Sequence, residues 1–110
     1  PYVRTIGHPT GRLIQRRSPY ALNLDRVFEA AADQDVFLEI NCSPSRLDLK
    51  DVDARRAKEI GVKLSLGSDA HSVPQMEFLP LGLAVARRGW LSKDDVVNTW
   101  DIEKMLGFRK

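Results

Sequence analysis

Three short apolar runs, each separated from the next by an amphipathic segment, constrain this chain more than anything else in its sequence. Runs over residues 2–7, 36–40 and 62–66 have the length and apolar content of strands. Between the first two, Leu24, Val27, Phe28 and Ala31 recur at i, i+3, i+4 and i+7, one face of a helix, and Asn23 stands where its side chain can cap the start. A second helix is expected from Asp48, as its N-cap, through Ile60, where Gly61 ends it by adopting the left-handed conformation. The remainder reads as helical: a segment ending at Arg88 before Gly89, a capping box from Ser92 to Asp95, and a last helix with Ile102, Met105 and Leu106 on one face. Strand, crossover helix, strand is the unit of a parallel sheet, so the fold class is α/β with a helical C-terminus.

Three parallel strands are an incomplete object, because both flanking strands offer unpaired N–H and C=O groups. A closed β/α barrel needs roughly twice the length of this chain. The alternatives are a small open sheet or part of a larger domain. At 110 residues the chain is expected to hold no more than one domain, residues 1–110. It opens on Pro1 without an initiator Met, as a processed product or a cut piece does. With 43% apolar and 29% charged residues it has the balance of a soluble globular protein, and neither a membrane span nor a signal sequence is present. Seventeen Lys and Arg against fifteen Asp and Glu leave a net charge of +2, which excludes nucleic-acid binding by bulk charge and makes any electrostatic argument local. Cys42 is the only cysteine, so an internal disulfide and a cysteine-rich zinc knuckle are excluded, and a cytoplasmic location is expected.

In β/α architectures chemistry gathers at the carboxyl ends of the strands. The first strand runs into Gly7-His8-Pro9-Thr10-Gly11-Arg12, the second closes on Glu39-Ile40-Asn41-Cys42, and the third runs into Gly67-Ser68-Asp69-Ala70-His71-Ser72. Alternation puts Glu39 and Asn41 on one face, and Ser65, Gly67 and Asp69 on one face if the third strand stays extended. Both histidines of the chain fall in these motifs. Asp69 and His71 offer a hard carboxylate and a borderline imidazole two residues apart, a pair that suits Zn, Mn or Fe, and His8 adds a third ligand. A lone His or Asp-x-His arises by chance often enough to be structural; three strand ends supplying such residues together make the metal reading the stronger one. Three ligands are fewer than a multinuclear site requires.

Arg12, Arg16 and Arg17 follow His8, and Arg46 follows the second strand, giving a local positive patch at the same end, as a phosphodiester beside bound cations needs. Each arginine taken singly reads as a solvated loop residue. Cys42 reads as a small buried residue, Arg55, Arg56, Arg87 and Arg88 as solvated helix faces or interdomain contacts, and Trp90 and Trp100 as packing for the terminal helices.

The strings Gly7-His8-Pro9-Thr10-Gly11-Arg12, Glu39-Ile40-Asn41, Ser45-Arg46-Leu47-Asp48-Leu49, Gly67-Ser68-Asp69-Ala70-His71-Ser72 and Ala86-Arg87-Arg88-Gly89-Trp90 resemble, in this order, the C-terminal half of the polymerase and histidinol phosphatase (PHP) domain, in the version fused to bacterial family X DNA polymerases. The resemblance runs from about Val3 to Leu106. It implies part of a distorted β/α barrel whose strand ends hold divalent metals, manganese or zinc, as a multinuclear cluster, and a manganese-dependent 3′-5′ exonuclease acting on DNA in base excision repair. Carried over by motif, His8, Asp69 and His71 are metal ligands, and Asn41 and Arg46 lie near the site toward substrate; Arg12 and Arg16 of the positive patch are expected to contact substrate too, and a metal-bound Asp69 is more a ligand than a general base. The earlier His-x-His motif, a second isolated His and a bridging Glu belong to an N-terminal half that this chain lacks, as it lacks the polymerase domain, so the 110 residues alone are expected to be inactive. A histidinol-phosphate type small-molecule phosphatase and a non-catalytic, metal-stabilised module supporting a polymerase are the competing readings.

Overall fold

Apolar side chains with period 3.6 and apolar side chains with period 2 meet on one side of a three-stranded parallel sheet. The structure, a computed structural model, describes residues 2–108; Pro1, Arg109 and Lys110, the ends of the expected domain, lie outside the described residues. The elements run β1 (Thr5–Ile6), α1 (Leu24–Asp33), β2 (Phe37–Asn41), α2 (Asp51–Ile60), β3 (Leu64–Gly67), α3 (Leu79–Arg88) and α4 (Ile102–Gly107), with 3-10 turns at Val73–Phe78, Lys93–Asp95 and Val97–Thr99. The strands lie in the order β1-β2-β3, with Thr5 beside Phe37, Leu38 beside Leu64 and Asn41 beside Gly67. The α/β class with parallel strands and crossover helices is therefore as the sequence predicts.

Alternation gives the sheet two unlike faces. Leu38, Ile40 and Leu64 are fully buried against Phe28 and Ala31 of α1, Ala54 and Ala57 of α2, and Val85 and Ala86 of α3. Each large side chain removed from water contributes about 1.5–3 kcal/mol, and the alanines let the helices lie close to the strands. The opposite face carries Thr5, Glu39, Ser65 and Gly67, polar or small, and only its lower end is covered, where the Phe37 ring meets those of Trp100 and Phe108 with centroids 6.0 and 5.5 Å away.

Local signals are obeyed where they depend on neighbours in sequence. Asn23 Oδ1 accepts from the backbone N–H of Arg26, Gly61 ends α2 at φ 110°, and Ser92 and Asp95 form the capping box, although on a 3-10 turn. Three expectations are corrected. Asp48 does not cap α2; Lys50 holds that position without a side-chain bond. The outer edge of β3 is not open, because Leu64 bridges Val96 and the side chain of Asn98 takes both backbone groups of Leu66: its Oδ1 accepts from the N–H at 2.8 Å and its Nδ2 donates to the carbonyl at 3.0 Å. Trp90 packs no helix interior; it is 67% exposed and lies under the Arg55 guanidinium, 3.9 Å from the ring centroid. The last helix forms as expected, as α4, with Ile102 and Leu106 both exposed.

Candidate functional site at the strand ends

The loops leaving the three strands are joined by side-chain hydrogen bonds centred on β2. Glu39 and Asn41, two residues apart, stand on the face opposite α1, α2 and α3. Asn41 is 1% exposed, and its Nδ2 serves two carboxylates, donating to Oε1 of Glu39 and Oδ2 of Asp69, each at 3.2 Å. Its Oδ1 accepts from the N–H of Ser43 at 3.0 Å and so turns the loop after β2. Glu39 Oε1 also accepts from the backbone N–H of His8 at 3.0 Å. Gly67 beside it lacks a Cβ that would overlap Oε2 of Glu39, which is why this carboxylate can lie across the sheet.

Asp69 reaches Asn41 by a different route from the one alternation predicts. β3 stops at Gly67, and Asp69 sits in the left-handed region at φ 53°, so a turn rather than an extended strand aims its carboxylate. His71 lies two residues on, exposed, with its Nδ1 2.8 Å from the Asp69 carbonyl and its backbone N–H on Oε1 of Gln75 at 2.7 Å. A carbonyl only accepts, so Nδ1 carries the proton and Nε2 of the neutral ring keeps its lone pair, as in a metal-ligating His. His8 is exposed at φ 28°, and the hydrogen bonds that fix it run through its backbone: its N–H to Glu39 and its carbonyl to Gly11 N–H at 3.0 Å.

Behind this layer Asp48, fully buried, accepts from the backbone N–H groups of Thr10 and Gly11, both at 3.0 Å, and so binds the loop after β1 to the loop after β2. Sequence reasoning reads this residue as a helix cap; its neighbours in space are 37 and 38 residues away. Arg12 donates to the carbonyls of Arg46 and Leu47, while Arg46 donates to the carbonyl of Arg12 at 3.2 Å, so these two guanidinium groups hold the same pair of loops. Arg16 and Arg17 are exposed on a short loop closed by a Leu13–Arg17 bridge. Cys42 is fully buried on the helix-covered side, its Sγ against Gly82 and 3.4 Å from the Ile40 carbonyl; burial pushes its thiol pKa up, which suits a packing residue.

The structure thus ties Asn41 to Asp69 directly and His71 to Asp69 through a carbonyl, and reaches His8 through Glu39. Glu39 is the hub that the candidate ligand set omits, and its signal in sequence is an acid inside an apolar strand. Among the described residues no three His, Cys, Asp or Glu side chains come together closely enough to hold a metal ion. The donors fit a divalent cation in kind, with carboxylates and an Nε2 lone pair on one open face, but not in number.

The chain is 37% identical over 109 residues to the DNA polymerase/3′-5′ exonuclease PolX of Bacillus subtilis (strain 168), a match that takes in 99% of this chain and 19% of that protein, at its C-terminal end. It is 33% identical over 116 residues to a probable phosphatase of Thermoanaerobacter sp. (strain X514), covering 100% of this chain and 44% of the relative. A probable phosphatase of Aliivibrio fischeri is 30% identical over 87 residues, 73% of this chain and 35% of that protein. No family model matches. The chain therefore spans about a fifth of the first of these relatives and less than half of the others.

Proposed function

We propose, on the premise that this chain belongs with the C-terminal end of the DNA polymerase/3′-5′ exonuclease PolX, that it supplies part of the strand-end centre of a metal-dependent phosphoesterase acting on DNA. The relatives are a polymerase with exonuclease activity and probable phosphatases, and the chemistry common to those names is cleavage of a phosphoester. The observation that carries the reading is the Asn41 amide held between the carboxylates of Glu39 and Asp69, with the Nε2 lone pair of His71 left for a ligand. An open sheet face of this kind is what the interior of a distorted β/α barrel would present, the remaining strands coming from outside these 110 residues.

His8, Asp69 and His71 would hold divalent cations, manganese or zinc, together with ligands from the rest of the protein. Such ions, when bound, supply an acidified water and neutralise phosphoryl oxygens. The work of this chain is placement. Asn41 donates to one oxygen of each carboxylate and leaves the others for a cation, the Asp69 carbonyl fixes the tautomer of His71, and Asp48 holds the His8 loop against β2. Arg16 faces solvent at the same end of the sheet and would neutralise substrate phosphate. A cytoplasmic role in DNA repair, with a polymerase domain on the same polypeptide, completes the proposal.

The probable-phosphatase relatives favour a second reading, a small-molecule phosphomonoesterase on the same residues. The whole protein, assayed with manganese on a 3′-recessed DNA duplex and on a small phosphomonoester, separates the two. Hydrolysis of the duplex that His71→Ala abolishes without loss of fold is the expected result. A faster monoester reaction with an inert duplex establishes the second reading, and loss of thermal stability on metal removal with no hydrolysis of either establishes a non-catalytic module.

A further inference from the structure

The cations of this chain fall into two populations. Arg55, Arg56, Lys58, Arg88 and Lys104 each have a carboxylate within 4 Å, at Glu59, Asp25, Asp95, Asp51 and Asp94. Among the described cations without such a partner, which also include Arg4, Arg26, Lys63, Arg87 and Lys93, Arg16, Arg17 and Lys50 line one cavity of about 570 Å³ together with Arg12. Its wall, residues 12–19 and Lys50, contains no acid. Asp51, next to Lys50, is occupied by Arg88 at 2.9 Å, and Asp53 lies on an adjoining cavity of about 160 Å³ that shares Arg12, Pro19 and Lys50. That second cavity is lined also by Thr10, 3% exposed, whose hydroxyl has no hydrogen-bond partner among the described residues. Asp53 attracts Lys50 and Arg12 from the adjoining cavity, but Arg16 and Arg17 face no acid on the cavity wall, and beside the unsatisfied Thr10 hydroxyl they leave a positive concavity that an anion would neutralise.

We propose that this cavity seats backbone phosphates of the DNA strand whose end is cleaved at the neighbouring strand-end centre, with Arg16, Arg17 and Lys50 as the phosphate contacts; the inference rests on the phosphoesterase reading above. Arg12 and Arg46 belong to its frame, since their guanidinium groups already serve the carbonyls of Leu47 and of one another. The cavity is lined by the loop after β1, which also carries His8, and by Lys50 at the start of α2, so it lies on the loops that leave the carboxyl ends of β1 and β2. Its lining is dominated by cations and holds no carboxylate, so it is a subsite for phosphate charge, with Gln15 the one amide on its wall.

The test is binding of a fluorescent 3′-recessed DNA duplex to the whole protein in EDTA, where no hydrolysis occurs, so that a failed metal centre leaves the reading intact. Each phosphate contact contributes about 0.9 to the slope of log affinity against log salt, so Arg17→Gln with Lys50→Gln should lower the slope by nearly two units and weaken binding roughly tenfold or more at low salt. Arg26→Gln with Arg87→Gln, the same charge change on α1 and α3 away from the cavity, should leave the slope unaltered. The Arg17 backbone, not its side chain, makes the loop bridge, and unchanged circular dichroism and melting temperature would show that the fold is kept. An unaltered slope in the Arg17 and Lys50 double variant overturns the proposal, as does equal loss in the Arg26 and Arg87 control. Competition by inorganic phosphate as effective per charge as by the duplex overturns it in favour of a small-anion pocket, and competition by poly-glutamate in favour of an acidic protein partner.

Discussion

Asn41 and Asp69 meet across the end of the sheet, the amide nitrogen of the first donating to Oδ2 of the second at 3.2 Å although 28 residues separate them in the chain. The same nitrogen serves Glu39, so one neutral side chain keeps two carboxylates apart. Asn41→Leu keeps the bulk and removes both donors. It should destabilise the metal-free protein by about 1–3 kcal/mol, the range for leaving a buried polar group without its partner, and depress hydrolysis as well. Denaturant unfolding in EDTA checks the first effect; an unchanged midpoint would show that the bridge stores no stabilisation.

Asp48 is the buried anchor of the loop that carries His8. Asp48→Ala leaves the N–H groups of Thr10 and Gly11 without their acceptor, and hydrogen bonds to a charged group are worth about 1.5–3 kcal/mol each. Faster amide exchange at Thr10 and Gly11 than anywhere in α1 is the expected signature, together with weaker metal binding in the whole protein.

Asn98 replaces a neighbouring strand along the β3 edge at Leu66. Asn98→Ala should cost about 1–2 kcal/mol and expose two backbone groups for pairing with another molecule. Sedimentation at increasing concentration would reveal that pairing as a shift toward dimer that the parent protein does not show.

Gly82 on α3 lies against Cys42, and a Cβ there would overlap the sulfur. Helix propensity alone favours Gly82→Ala by roughly 1 kcal/mol, whereas overpacking costs about 1–3 kcal/mol, so a net loss of stability is expected. Adding Cys42→Ala makes room for the methyl, and the double variant should regain part of that loss. Additive effects of the two substitutions would refute the contact.

Asp95 gives a pH dependence. Burial works against its charge, but the N–H and hydroxyl of Ser92 and the ammonium of Lys58 outweigh this and hold its pKa below the usual carboxylate range. A carboxylate lowered on folding adds stability that is complete above its unfolded pKa, about 3.9, and lost as pH falls through its lower folded value. Asp95→Asn should therefore destabilise at pH 6, by about 1 kcal/mol for the cap, and the gap to the parent protein should close in the acid window below pH 4. Thermal unfolding of both proteins from pH 6 to pH 2 reads it.

The residues decided part of this protein without help from tertiary contacts. The period of Leu24, Phe28 and Ala31, the Asn23 cap and the left-handed Gly61 act over four residues or fewer, so the elements and their parallel α/β arrangement could be read directly. That the histidines and Asp69 lie at the strand ends could be read too, because parallel strands all point the same way, but alternation placed only Glu39 and Asn41, and a turn aims Asp69. What only the tertiary structure decided are the partners of groups that could have bonded in several ways. Asp48 can cap a helix or hold a distant loop, Arg12 can face a phosphate or a carbonyl, and Asn98 can be solvated or complete a sheet edge. In each case the winning arrangement satisfies backbone groups 30 or more residues away, fully buried for Asp48 and partly shielded for Arg12 and Asn98, and such distant partners are not written in the local sequence.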